Sequence, residues 1–280
     1  MAQKKKNLFT ALAVAVSLTV GAPLLSGCMS STTTNSTTTN RNQIMLVSEQ
    51  EVTAEAQKQY AEVLAQAKQQ GALNTDKKQT KRVQKIAKRL IAAAPTYRAD
   101  AKNWQWEVNV INSKEVNAWC MPGGKIAVYT GLINTVKPTD DELAVVISHE
   151  IAHALREHSR EQMSAEYAKQ GALNIASMFG GSDTKLQIGN MLANVGFSLP
   201  FSRSHETEAD ELGLELMYAA GYNPDAAASL WKKMMAASGG DNGSSLANLL
   251  STHPSDQDRI ANLTELSDKL KHQKSDIKKK

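Results

Sequence analysis

The chain has 280 residues, 41% of them hydrophobic, which is enough to bury one sizeable core with small appendages. Its formal net charge is +4, but Lys4, Lys5 and Lys6 supply three of those charges, which leaves +1 on the rest of the chain. That balance argues against a nucleic-acid-binding protein. Only two cysteines are present, Cys28 and Cys120.

Residues 1–27 have the pattern of a secretory signal peptide. A basic start is followed by the apolar stretch 8–20, which is too short and interrupted for a comfortable membrane span, and then by small residues. The ending Leu25-Ser26-Gly27-Cys28 resembles a bacterial lipobox, so we expect Cys28 to carry lipid as the first residue of the mature chain. Met29 is not Asp, which by the same resemblance directs a lipoprotein to the outer membrane, facing the periplasm. An uncleaved anchor helix is the alternative.

Composition divides the rest of the chain into a tether, a folded domain and a tail. Residues 28–42 are mainly Ser, Thr and Asn, so we predict a flexible tether. Residues 43–271 form the predicted domain, and the Lys-rich end, 272–280, is predicted to be disordered. Inside the domain, residues 48–70 and 76–94 predict two helices, the second with a basic, solvated face.

A single strand-like region follows these helices. Residues 104–111 alternate and are rich in β-forming residues, while 116–120 and 125–130 are short runs of the same kind. Pro122-Gly123-Gly124 predicts a turn between the last two runs. The chain is helical again beyond this region. We therefore predict an α+β fold that is mostly helical, with a small sheet of about three strands.

The next predicted helix contains His149-Glu150-Ile151-Ala152-His153. Residues four apart lie on one face of a helix, so two neutral imidazoles at this spacing can bind one zinc ion. Glu150 points toward the same cleft, where it can take a proton from a water molecule. A capping box at Thr139-Asp140-Asp141-Glu142 begins the helix, and its apolar back can be buried. We predict one zinc ion per chain.

The third ligand is predicted in the helix that ends at Gly221. On a helical wheel Glu206 and Asp210 share the apolar, inward face. A buried carboxylate is costly unless it is paired or metal-bound. Glu206 as a ligand, with Asp210 accepting a hydrogen bond from a ligand imidazole, would account for both, and a buried acid–Arg pair is the alternative. The other acids of this helix fall on the opposite, wet face: Glu208, Glu211 and Glu215.

Together these motifs resemble the CAAX-prenyl-protease type of zinc metallopeptidase, a gluzincin, and are most similar to its bacterial periplasmic lipoprotein branch. The resemblance covers roughly residues 43–270 and implies a zincin-like fold and peptide-bond hydrolysis. It rests on His149-Glu150-x-x-His153 with Glu206-x-x-x-Asp210, and on shorter signatures: Asn117-Ala118 with Pro122-Gly123-Gly124, Tyr129-Thr130-Gly131-Leu132, and Thr252-His253-Pro254.

The resemblance implies roles for further residues near the cleft. The segment 117–121, with Asn117 and Ala118, would border the cleft and pair with an extended substrate backbone, and an internal strand is the alternative. His253 would act as a gate or as a transition-state contact, or else cap a helix at the surface. His158 falls on the back of the metal-binding helix and is predicted to interact with the helix dipole instead of the metal.

By resemblance, the chain is expected to be a zinc-dependent endopeptidase of the bacterial cell envelope. Its partners would be protein or peptide substrates, namely misfolded or unassembled envelope proteins, and a membrane reached through Cys28. The lack of spanning helices favours such substrates over prenylated peptides. The rival hypothesis is a non-proteolytic chaperone or assembly factor for outer-membrane proteins on the same zinc scaffold.

Overall fold

The computed structural model describes residues 29–39, 41–171, 188–192, 200–238, 243–253 and 258–277. These residues form a mostly helical domain with a small mixed sheet, which confirms the predicted α+β class. The strands are β1 (Met29–Ser30), β2 (Gln43–Ile44), β3 (Glu107–Ile111), β4 (Ala118–Met121) and β5 (Lys125–Tyr129). The helices are α1 (Glu49–Gln69), α2 (Lys77–Ala93), α3 (Thr130–Val136), α4 (Asp140–Leu155), α5 (His158–Gly171), α6 (Arg203–Ala219), α7 (Ala226–Ser238), α8 (Gly243–Thr252) and α9 (Arg259–Ile277).

Both ends of the chain extend beyond this description. The predicted signal peptide, Cys28 and residues 278–280 lie outside the described residues. The predicted disordered tail, 272–280, is helical as far as it is described, because α9 continues to Ile277. Every helix within the described residues is too short or too polar to cross a bilayer.

The sheet has the strand order β3-β5-β4. β3 runs parallel to the central β5, and β4 runs antiparallel to it, so β4 ends the described sheet on the side of α4. Gly123 and Gly124 make the β4–β5 turn with φ of 79° and 83°. A Cβ atom on Gly124 would lie 2.5 Å from a ring atom of Trp106. The turn therefore requires glycine both for its backbone and for its packing.

Helix α4 begins at the predicted capping box. The Thr139 side chain accepts from the Glu142 amide, and the Glu142 carboxylate accepts from the Thr139 amide. Glu142 also accepts hydrogen bonds from Ser229 and Lys233, which join the start of α4 to α7. Every residue of α4 from Leu143 to the end of the helix is buried, so this helix forms the centre of the domain.

Helices α4 and α6 pack closely against each other, and this contact positions the two halves of the HExxH–Glu motif. Gly213 allows the close approach, since a Cβ atom there would lie 3.0 Å from the backbone nitrogen of His149. A larger residue would push the helices apart. In the two turns of α6 before Gly213, Glu206 and Asp210 lie beside His153 and His149 of α4.

The predicted tether is, in its described part, packed onto the domain. We refer to residues 31–39 and 41–43 as the N-terminal strap. Thr34 N donates to Tyr97 O at 2.7 Å, and the Glu215 carboxylate accepts from Thr37 N at 3.0 Å and from the Thr38 hydroxyl at 3.1 Å. The low apolar content that predicts flexibility does not prevent packing here, because hydroxyl groups meet a buried carboxylate that needs donors.

Candidate metal centre

Four side chains bring donor atoms together between α4, α6 and the residue that follows α8. The Nε2 atoms of His149 and His153 are 3.1 Å apart, and Glu206 Oε1 lies 3.3 Å from His153 Nε2. His253 Nδ1 lies 3.0 Å from the same Glu206 oxygen and 3.4 Å from His149 Nε2. One donor atom from each residue lies within 4.8 Å of all the others. The structure thus brings the three predicted ligands together and adds His253 to them.

This cluster fits one zinc ion. Imidazole nitrogens and a carboxylate oxygen are preferred zinc ligands, at about 2.0–2.2 Å in tetrahedral geometry, and such a tetrahedron has edges of about 3.3–3.6 Å. The neighbouring donors are 3.0–3.5 Å apart. Glu206 Oε2 is buried without a hydrogen bond, although Arg259 Nη1 lies 3.1 Å away, so that oxygen keeps a lone pair available.

The surrounding charges and burial set the protonation state of each donor residue. Burial lowers the pKa of His153 well below its ordinary value, so its imidazole is neutral. Burial alone would raise the pKa of Glu206, but the three imidazoles around its carboxylate, those of His149, His153 and His253, hold it far below the usual range. For His149 burial lowers the pKa, and hydrogen bonds to Asp210 and Glu206 outweigh that effect and raise it to about 10. A metal ion would displace this proton, because ligands bind in their deprotonated forms.

Asp210 lies on the inward face of α6, as the helical wheel predicted, beside the imidazole of His149. Its Oδ1 is 3.0 Å from His149 Nδ1. Arg259, at the start of α9, donates to Asp210 at 2.7 and 2.8 Å and also lies against Glu206. The inward acids therefore have an arginine partner, as one alternative predicts, while Asp210 also contacts the His149 imidazole, as the other predicts.

Glu150 lies beside the donor cluster. Its Oε1 is 3.6 Å from His253 Nε2, and burial raises the pKa of its carboxyl group. The adjoining cleft is bordered by Asn117, by Ala118 at the start of β4 and by Phe201. The Phe201 ring stacks on His153 at 4.1 Å between centroids. Asn117 and Ala118 thus border the site, as the resemblance implies, at the end strand of the described sheet.

His158 occupies a different position from the one predicted. A wheel that continues α4 beyond its end places it on the back of the helix, but α4 ends at Leu155 and Glu157 adopts a positive φ of 52°. That turn brings the buried His158 ring back to the site, where its Nδ1 lies 2.9 Å from His153 Nδ1. Burial lowers the pKa of His158 to about 4, so the ring is neutral at neutral pH.

Two acids predicted on the wet face of α6, Glu208 and Glu215, are buried beneath the N-terminal strap. Glu208 accepts hydrogen bonds from Arg156 at 2.8 Å and from Arg41 at 2.6 Å, and its carboxylate lies 3.1 Å from His158 Nε2. The wheel prediction was wrong for these two residues because helical periodicity cannot show which part of the chain will cover a polar face. His205, which directly precedes Glu206, stacks on His158 with 4.4 Å between ring centroids.

Sequence reasoning thus missed three residues that support the site: Arg259, His158 and Glu208. The sequence offered one partial signal, because two inward carboxylates on α6 require a nearby cation. Nothing in the spacing identifies Arg259 among the many Lys and Arg residues. His158 could be found only by knowing where α4 ends.

Comparison with known proteins provides independent information. A sequence model of peptidase family M48 matches residues 77–267, which include all four donor residues. The mitochondrial metalloendopeptidase OMA1 of Schizosaccharomyces pombe is 39% identical over 183 residues, which is 65% of this chain and 51% of that protein. Metalloprotease YcaL of Escherichia coli is 28% identical over 182 residues, covering 64% of this chain and 69% of that protein. Metalloprotease LoiP of the same species is 30% identical over 151 residues, covering 53% and 59%.

The chain spans only part of these relatives. It covers about half the length of the Schizosaccharomyces pombe protein and 30% of the corresponding protein of Arabidopsis thaliana.

Proposed function

Because the chain belongs to peptidase family M48, we propose that it is a zinc-dependent endopeptidase whose active site is the donor cluster beside Glu150. The observation that carries this proposal is the convergence of His149, His153 and Glu206 from two helices, with Glu150 adjacent to them. Within the family we assign the chain to the periplasmic lipoprotein branch of the CAAX-prenyl-protease type. The shorter signature motifs and the lipobox at Cys28 support this finer assignment.

Each residue of the site has a separate role in this proposal. His149, His153 and Glu206 would hold the metal, Asp210 would orient His149, and His253, the fourth member of the donor cluster, would act as a donor or a gate. When bound, zinc would act as a Lewis acid that polarises the scissile carbonyl and makes water more acidic.

Glu150 moves the proton. Its carboxylate accepts a proton from the attacking water as the water oxygen bonds to the carbonyl carbon, and then donates that proton to the amine nitrogen as the C–N bond breaks. The nearby His253 Nε2, 3.6 Å away, can donate a hydrogen bond to the negative charge that develops in this region.

The cleft supports an extended protein substrate. β4 forms an end of the described sheet and borders the cleft next to Glu150. An extended substrate segment could therefore lie alongside Asn117 and Ala118 as an additional strand of the sheet. Only a chain segment without its own tertiary structure can adopt that conformation. We therefore propose that the substrates are misfolded or unassembled proteins.

We further propose that the enzyme works in the bacterial cell envelope. The signal peptide and lipobox of residues 1–28 support export and lipidation, and Met29 supports the periplasmic face of the outer membrane. Proteins that fail to fold or assemble in the envelope would then be the substrates available to it.

A cleavage assay with a matched variant tests the proposal. Purified chain with one equivalent of zinc should degrade casein, an unstructured protein, whereas Glu150→Gln should remain folded, retain zinc and be inactive. Glu150 is expected to act on water and not to bind the metal. Its substitution should therefore abolish casein cleavage while zinc content stays unchanged.

Two results would contradict the proposed activity. Wild-type-like cleavage by Glu150→Gln would remove Glu150 as the base. Failure of the zinc-loaded wild type to cleave casein, together with suppression of the aggregation of an unfolded client by both proteins, would instead favour the non-proteolytic chaperone. Comparing the envelope proteins that accumulate in wild-type and Glu150→Gln cells then identifies the natural substrates.

A further inference from the structure

A line of buried polar groups runs from His153 away from the cleft. His153 Nδ1 lies 2.9 Å from His158 Nδ1, and His158 Nε2 lies 3.1 Å from a Glu208 oxygen. Both imidazoles are buried, and the Glu208 carboxylate is almost fully enclosed. The far side of Glu208 is occupied by Arg156, a fully buried arginine whose Nη2 lies 2.8 Å from it.

The hydrogen-bond roles along this line are fixed by counting protons. A carboxylate can only accept, so His158 must carry its proton on Nε2 to bond with Glu208. A neutral His158 then has an unprotonated Nδ1, which can only accept. His153 must therefore donate from its own Nδ1, and its single proton is placed there. Its Nε2 atom, which faces His149 and Glu206, is left with a free lone pair.

We infer that His158 and Glu208 are positioning residues that hold His153 in the tautomer and ring orientation required to bind the metal through Nε2. The inference rests on the metal centre of the proposed function and adds residues outside the ligand set. The two ligand histidines are thus supported differently. His149 is held directly by a carboxylate, Asp210, whereas His153 is held by a carboxylate acting through a second imidazole.

Arginines keep the terminal carboxylate in place. Arg156 binds Glu208 through both Nε and Nη2, and Arg41 of the N-terminal strap binds the other oxygen at 2.6 Å. With both oxygens held, Glu208 cannot rotate away from His158 without breaking charged hydrogen bonds. The two arginines therefore fix Glu208, and Glu208 in turn fixes His158 and, through it, the proposed zinc ligand His153.

Nitrogen NMR of the wild-type protein tests the tautomer directly. Long-range proton–nitrogen correlations, with His153 assigned from His153→Gln, should show a protonated Nδ1 in the zinc-loaded protein, and a coupling should connect the Nδ1 atoms of His153 and His158 through their hydrogen bond. A His153 ring that is protonated on Nε2 in the zinc-loaded protein would overturn the inference.

Zinc affinity, measured by competition with a chelator, provides a second test that does not depend on catalysis. His158→Leu should weaken zinc binding by about 10–100-fold, the usual effect of losing a partner of a ligand histidine. His158→Asn should recover much of this loss, because its Oδ1 can accept from His153 in place of Nδ1. Glu142→Gln is a matched control, since it alters a buried polar contact at the other end of α4 and should leave zinc affinity within about twofold.

The outcomes separate this inference from the proposed function. If the folded His158→Leu protein binds zinc as tightly as wild type, the positioning role is wrong while the metal centre stands. If the wild type itself binds no zinc, the proposed function fails first. Circular dichroism shows whether His158→Leu folds. If it does not, zinc binding by His158→Asn and NMR of the wild type decide whether His158 positions His153.

Discussion

The Glu206 carboxylate lies between three imidazoles and the guanidinium of Arg259. It is therefore the anion that offsets several buried donors, as well as a proposed ligand. Asp210 is one turn further along α6 and contacts one of the other proposed ligands, His149. Loss of these two acids should consequently have different effects on zinc.

We predict that Glu206→Ala removes most bound zinc, whereas Asp210→Ala leaves a site that binds about 10–100-fold more weakly. Metal analysis after dialysis against a weak chelator measures both. Thr207→Ala, an exposed change on the same helix, is the control and should retain one zinc per chain. Zinc that survives Glu206→Ala would show that the metal ligands have been assigned incorrectly.

His253 occupies the fourth corner of the donor cluster, where a substrate carbonyl or water would also have to approach. We predict that His253→Ala changes the rate of casein cleavage while zinc content stays near one per chain, because three donors remain. Steady-state kinetics and metal analysis on the same preparation check this. Unchanged kcat and KM would mean that His253 neither gates nor assists the reaction.

At the scale of single residues, the sequence predicted which side chains share one face of a helix, because helical geometry alone determines this. His149 and His153 share a face through their spacing, and Glu206 lies inward because of its apolar neighbours on α6. Arg259 and His158 reach the site from other elements, and their positions depend on where helices end. The residue at which a helix ends depends on tertiary packing, and the hydrophobic periodicity of the sequence shows it only weakly.

At the scale of elements, the start of α4 combines a local cap with a tertiary contact. Glu142 closes the capping box and also binds Lys233 of α7. Burial raises its pKa, but the hydrogen bonds, led by that from Lys233, outweigh this and lower its pKa below the ordinary value of 4.5. The folded state therefore favours the charged carboxylate.

The sign of the pH dependence follows from this shift. A carboxyl group whose pKa is lower in the folded state stabilises the fold above its unfolded pKa, and the contribution is lost as pH falls through the folded pKa. Glu142→Gln can still form the capping box but cannot pair with Lys233 as an ion. We expect the variant to be less stable at pH 7 by about 0.5–1.5 kcal/mol, since Lys233 is partly exposed.

Urea unfolding across a pH series measures this difference. The gap in free energy of unfolding between wild type and Glu142→Gln should be constant above about pH 5 and should shrink as pH falls below 4.5. A gap that stays the same at low pH would show that the charge of Glu142 does not contribute. Lys233→Met, which removes the partner, should reproduce the loss at pH 7.

The elements themselves were predictable to the extent that local signals define them. The capping box marked the start of α4, and the double glycine marked the turn between β4 and β5. The order of the sheet was not predictable, because β5 lies between β3 and β4 only through a parallel pairing distant in sequence. The N-terminal strap was mispredicted for a related reason. Its Ser and Thr residues are held by acids on α6, and composition alone carries no information about them.

At the scale of the whole molecule, the resemblance of residues 25–28 to a lipobox predicts a lipid anchor. We predict that Cys28 incorporates radiolabelled palmitate and that the mature protein sediments with outer membranes, with Cys28→Ala as the control that loses both. The reason is that Leu25-Ser26-Gly27-Cys28 follows a basic and then an apolar segment, as lipidation requires. Unlabelled protein that still sediments with membranes would instead indicate an uncleaved anchor helix.

The packed strap limits how far an anchored enzyme could reach. A free, extended segment 28–42 could hold the active site roughly 50 Å from its lipid, deep in the surrounding compartment. With the strap bonded to α6 and with β1, which begins at the residue after Cys28, paired to β2, almost no free chain is left between the lipid and the folded domain, a span of about 4 Å. A chain attached through Cys28 would then cleave substrates close to the bilayer surface. It would not reach substrates farther out in the compartment.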